Sequence, residues 1–216
     1  TKVVTRLALV LGWGLYCFQK EETDLEKKSV WKLLIGEWNT KTIVGVALGA
    51  ALFGVLMRWG GIPIFTNTNL TTAFVVPVIV GALFGPLPAA IACGVGNVLA
   101  DFLWGSGYWF DWSIGNAFLG FVIGLLPLYG AQISKGIFTV KHAVIYSIIA
   151  VLGNWLAFGL ITPIFTQLIN GGELQITLLQ GYAAVAANSA VLIVVGLPIL
   201  FALAARNASG QNLSKK

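Results

Sequence analysis

Asn97 and Asp101 stand four residues apart in an otherwise apolar run, a spacing that places both on one face of a helix, one turn apart. An amide and a carboxylate so paired suit the orientation of polar groups on a bound molecule. Three more amides, Asn116, Asn154 and Asn188, interrupt three other apolar runs. Between the first two runs lies Trp104-Gly105-Ser106-Gly107-Tyr108-Trp109-Phe110-Asp111-Trp112. Its indoles, Trp109 and Trp112 above all, offer flat π-faces to a heteroaromatic ligand; an aromatic belt at a membrane boundary would use the same residues. Upstream, Gly60-Gly61-Ile62-Pro63-Ile64-Phe65-Thr66-Asn67-Thr68-Asn69 joins glycines that permit movement to amide contacts at Asn67 and Asn69. Such a loop can cover a pocket, and its composition fits a plain turn-rich connection equally.

This chemistry is binding rather than catalysis. The single histidine, His142, follows Lys141 and is expected as a solvated residue at the start of a span. No Ser/His/Asp set shares a location, no carboxylates pair closely within the apolar runs, and Cys17 and Cys93 have neither metal-ligand spacing nor histidine neighbours. Neither a metal nor a cofactor is called for. The chain contains no Gly-x-x-x-x-Gly-Lys-Ser/Thr phosphate loop, so any ATP-driven work needs another chain. Basic residues flank apolar runs instead of forming a groove-sized patch, which gives no support to a nucleic-acid partner.

The elements that must hold these residues are membrane helices. Of 216 residues 57% are hydrophobic and only 10% charged, too few to cover a water-facing surface. The unbroken apolar runs also lack the alternation of a membrane β-barrel. Six spans are predicted, at 42–59, 70–84, 88–104, 113–130, 140–166 and 179–204, the second short enough to require tilt or protein cover. Residues 1–40 form an N-terminal extension, 41–206 the membrane domain and 207–216 a tail. Within the extension, the 12-residue run 7–18 is too short to span and reads as interfacial, and the charged stretch 19–41 reads as an amphipathic approach. With a cytoplasmic N-terminus, Lys27, Lys28, Lys32, Lys41, Lys135, Lys141, Arg206, Lys215 and Lys216 all fall inside, leaving Arg58 outside. That asymmetry predicts both termini in the cytoplasm. It also places the amides and Asp101 in the outer half or near the midplane, where a polar pocket open to the outside is the economical arrangement.

The first span carries small residues four apart at Gly45/Gly49, Ala47/Ala51 and Ala50/Gly54. Such flat faces let backbones approach closely in lipid, within the bundle or against a partner.

In order and spacing, Thr42 to Phe53, Ile62-Pro63 with Asn67-Thr68-Asn69-Leu70, Gly81-Ala82-Leu83-Phe84-Gly85-Pro86, Gly96-Asn97 with Asp101, and Trp109-Phe110-Asp111-Trp112 resemble the substrate-binding S components of energy-coupling factor (ECF) vitamin transporters, riboflavin-type group. The resemblance implies a six-helix protein of a prokaryotic plasma membrane that takes a vitamin or precursor from outside. It further implies docking to a transmembrane T protein with two ATPases, and toppling in the membrane to release the ligand inward. It assigns the docking motif to Ala47 and Ala51, with Ala50 and Gly54 on an adjacent strip, and makes residues 60–69 the lid. Members often carry His where this chain has Asn97. Ligand contacts are expected from Asn67, Asn69, Asn97, Asp101, Trp109, Trp112, Asn116, Asn154 and Asn188. The rival expectation is an autonomous secondary transporter or channel, which would favour ionisable groups through the full membrane depth.

Overall fold

A computed structural model describes residues 30–66, 68–105, 107–171 and 173–213. The expectations for the 7–18 run and for most of the charged approach lie outside these residues; a short helix at 30–35 is what is described of that approach. The first long helix, α1 (Thr40–Trp59), starts at Asn39, whose side chain accepts from the Thr42 amide at 3.1 Å, satisfying one of the orphan donors of a helix start. Two short strands follow, β1 (Gly61–Phe65) and β2 (Thr68–Thr71), paired antiparallel with Ile62 opposite Leu70 and Pro63 opposite Asn69. The chain then descends through a 3-10 turn, Thr72–Phe74, into α2 (Val75–Phe84) and returns in α3 (Pro86–Trp104). Gly85 makes that reversal at φ +97°, a backbone region that favours glycine.

The second half comprises α4 (Phe110–Ile123), α5 (Val140–Leu156), a π-helical segment Ala157–Ile161 continuing into α6 (Thr162–Asn170), α7 (Leu174–Val194) and α8 (Gly196–Leu213). Five helical runs are long and apolar enough to cross a membrane: 40–59, 86–104, 110–129, 140–170 and 174–210. A sixth, Thr72–Phe84, is apolar but shorter, reaching only about 20 Å. The protein is a helical membrane protein, with one small hairpin in place of the loop expected after the first span.

Small residues set how closely the helices approach. A Cβ added to Gly96 on α3 would lie 2.7 Å from the Phe53 Cβ and 2.8 Å from the Ala50 carbonyl, and one on Gly54 would lie 3.0 Å from the Gly96 carbonyl. Helices α1 and α3 therefore pack almost backbone to backbone, which supplies dispersion where lipid gives no hydrophobic drive. Ala50 and Gly54 are consumed by this contact, and both are buried. The expectation that they form a docking strip beside Ala47 and Ala51 is corrected accordingly: only Ala47 and Ala51 face outward. At the same end as Gly85, Gly36 approaches the Phe84 carbonyl and Asn207 donates to the Ile133 carbonyl at 2.9 Å. Lys32, Lys41, Lys135, Lys141 and Arg206 belong to this end by their place on the elements. His142, expected as a solvated loop residue, is half-buried in the first turn of α5, where Nδ1 accepts from the Thr139 amide at 3.2 Å.

Candidate functional site

A cavity of about 730 Å³ opens at the end opposite these lysines, a size that suits a small organic ligand. Its roof is the hairpin, through Pro63, Phe65, Thr68 and Asn69. Its floor is aromatic. Phe74 meets Phe158 edge to face with centroids 6.3 Å apart, and Phe158 lies 5.6 Å from Trp112 at a tilt of 33°. All three rings line the cavity, and Phe53 supports Phe74 from below at 5.8 Å.

One wall is a polar ladder between α3 and α4. The Asn97 amide donates to Ser113 Oγ at 3.0 Å and to Asp101 Oδ2 at 3.4 Å, and Asn97 Oδ1 accepts from Asn116 Nδ2 at 3.0 Å. Asn116 Nδ2 also donates to the Trp112 carbonyl at 3.0 Å. That carbonyl can only accept, so the amide orientation of Asn116, and through it that of Asn97, is determined by chemistry. Asp101 Oδ2 further accepts from the Trp109 amide at 2.9 Å, pinning the aromatic loop to the end of α3. The four-residue spacing seen in the sequence thus builds one continuous network.

The structure brings Asn69, Asn97, Asp101, Trp109, Trp112, Asn116 and Asn188 around this one cavity. Asn67 lies outside the described residues. Asn154 does not join them. It is fully buried, donating to the Val185 carbonyl at 2.8 Å and to Ser189 Oγ at 2.9 Å and accepting from Asn188 at 3.4 Å. Its role as a direct ligand contact is therefore corrected to one of support: it clamps α5 to α7 and steadies Asn188, because the same helix depth does not imply the same helix face.

Other residues enter without having been singled out. Gln180 on α7 donates to the Thr66 carbonyl at 3.1 Å, tying the tip of the hairpin across the cavity mouth. Thr71 Oγ1 donates to the Leu56 carbonyl at 2.9 Å and Thr72 Oγ1 to the Gly60 carbonyl at 3.0 Å, anchoring the hairpin's base to α1. The Thr166 hydroxyl lies against both Asp111 Oδ2 and the Thr162 carbonyl, so Asp111, wholly buried, joins α4 to α6. A polar stripe at Thr162, Thr166 and Asn170, each one turn from the next, was the available signal for this contact. Arg58 places its guanidinium 4.4 Å from the Trp104 ring centre, a cation–π contact on the outside of a cavity residue. Among the described residues no group of three or more His, Cys, Asp or Glu is arranged to hold a metal ion.

Comparison with known proteins adds three findings. The model of the family "ECF-type riboflavin transporter, S component" matches residues 37–205. UPF0397 proteins from Vibrio vulnificus, Aliivibrio fischeri and Lactobacillus gasseri are 32%, 33% and 30% identical, each over 82% of this chain and over 98%, 97% and 96% of their own lengths. In fold, the chain is similar to FolT, solved with folic acid bound, at a TM-score of 0.54 and 18% identity, covering 78% of this chain and 96% of that one.

Proposed function

We propose, because this chain belongs to the ECF-type riboflavin transporter S component family, that it captures a vitamin or vitamin precursor from outside the cell and passes it to a shared transporter module. Membership makes it a membrane transport protein and not an enzyme. The observation that carries the capture reading is the roofed cavity, aromatic below and polar on one wall, at a single end of the bundle. A planar, riboflavin-like ring would lie against Trp112 and Trp109. Its polar edge would meet Asn97, Asp101 and Asn116, with Asn69 and Asn188 completing the contacts and the hairpin serving as lid.

Orientation follows from charge. The end holding Lys32, Lys41, Lys135, Lys141 and Arg206 would face the cytoplasm of a prokaryotic cell, both termini with it, and the cavity would face outward. The energy for transport would come from a partner assembly of a transmembrane T component and two ATPases. Ala47 and Ala51 are the flat, outward part of α1 suited to dock it. The rival reading, an autonomous transporter or channel, lacks an ionisable relay: of the described acids, Asp101, Asp111 and Glu173 belong to the cavity end and Glu37 precedes α1 at the other, with none on the helix lengths between.

The test is binding by the purified chain in lipid nanodiscs, followed by tryptophan quenching, with riboflavin and a panel of other vitamins. Saturable binding of one panel member that is weakened in Trp112→Ala supports the reading. No binding across the panel contradicts it.

A further inference from the structure

The hydrogen-bonding capacity of the buried amides in the cavity wall is lopsided. On the α3–α4 wall both amide hydrogens of Asn116 are committed, to Asn97 and to Trp112, as is the Asn97 amide group, to Ser113 and Asp101. Across the cavity the Thr177 hydroxyl is spent on the Glu173 carbonyl, and Gln180 spends a donor on the lid. What the buried amides of this wall have left is acceptors, while the indole N–H groups of Trp104, Trp109 and Trp112 and the amides of Asn69 and Asn170 line the rest of the cavity as neutral donors. Asn116 Oδ1 is buried with no partner among the described residues, though Asn116 lines the cavity and is 1% exposed. The Trp112 carbonyl rules out the flipped amide, so this orphan is an oxygen. Asp101 adds a carboxylate, of whose roughly four lone-pair sites the network uses two. Among the described lining residues there is no Lys, Arg or His. Arg58, the described cation at this end, is stacked on Trp104 and does not line the cavity.

A buried acceptor without a donor costs about 1–3 kcal/mol, recovered when a ligand supplies the hydrogen. A ligand carboxylate or phosphate would do the opposite, setting like charge beside Asp101 with no cation to offset it. We infer that this cavity selects ligands presenting N–H or ammonium donors to Asn116 and Asp101, and that it rejects the carboxylate or phosphate forms of the same ring systems. The inference rests on the capture reading above and narrows its substrate class to neutral or cationic, donor-bearing heterocycles.

The test uses matched probe pairs on the full chain in nanodiscs: riboflavin with riboflavin 5′-phosphate, pyridoxamine with 4-pyridoxic acid, nicotinamide with nicotinic acid, and thiamine with thiamine monophosphate. For any pair that binds, the neutral or cationic member binds at least roughly tenfold more tightly than its acidic counterpart. Asp101→Asn narrows that gap, and Arg58→Gln leaves it unchanged. Equal or tighter binding of the acidic member by the unaltered chain overturns the inference while leaving the capture reading standing. Absence of binding by every member removes both.

Discussion

At the residue scale the account turns on Asn97, whose single amide holds Asp101, Ser113 and Asn116 together. Replacement by an apolar residue of similar size strands buried partners, so Asn97→Leu is expected to lower stability by about 1–3 kcal/mol and to weaken ligand binding. Thermal unfolding in detergent with and without ligand separates the two effects, because the stabilisation conferred by a bound ligand scales with its affinity. Trp112 sits differently, tilted against Phe158 at the cavity floor. Trp112→Ala is predicted to reduce affinity about tenfold, read by equilibrium titration. Much of this set was legible from the sequence, since an amide or carboxylate in an apolar run has few places to go but a cavity or another polar group. Asn154 shows where that logic stops. Its depth along the helix was readable, but its rotation toward α7 was not, because a helix that is apolar all round carries no stripe to mark its inner face.

At the scale of elements, the same ambiguity explains α1. Spacing alone made Ala47/Ala51 and Ala50/Gly54 equivalent, while the bundle turns one pair outward and seals the other against α3. The two pairs should respond differently to bulk. Gly96→Val, which crowds Phe53 and the Ala50 carbonyl, is expected to destabilise the isolated protein by about 1–3 kcal/mol, seen as a lower unfolding temperature. Ala47→Leu with Ala51→Leu should leave ligand binding by the isolated chain intact and abolish ATP-dependent uptake in cells; loss of binding would contradict a docking role. The hairpin was the least legible element. Pro63 cannot donate to a ladder and Gly61-Ile62-Pro63-Ile64-Phe65 has no polar alternation, so nothing in its pattern announces a strand. Its position is held by contacts distant in sequence, from Gln180 and Leu56. Gln180→Ala removes the tie at the mouth and is predicted to speed ligand dissociation in stopped-flow fluorescence. An unchanged off-rate would remove the hairpin's role as lid.

At the scale of the whole molecule, composition and the sorting of charge were the most readable features. Few charges in many apolar residues require membrane helices, and the gathering of the described lysines at one end, with Arg58 the described cation left at the other, defines two unlike poles. The π-helical segment at Ala157–Ile161, which sets Phe158 into the cavity floor, has no such signature, because it is a local adjustment to packing rather than a pattern of residue types. The cavity lies at the pole away from the lysines, roofed by the hairpin. The central claim is that this cavity holds a small vitamin-type molecule, and native mass spectrometry of the gently purified chain tests it most directly. The account predicts a one-to-one adduct of vitamin-like mass that is diminished in Asn97→Leu and Trp112→Ala. A bare chain mass that no member of a vitamin panel alters would contradict it.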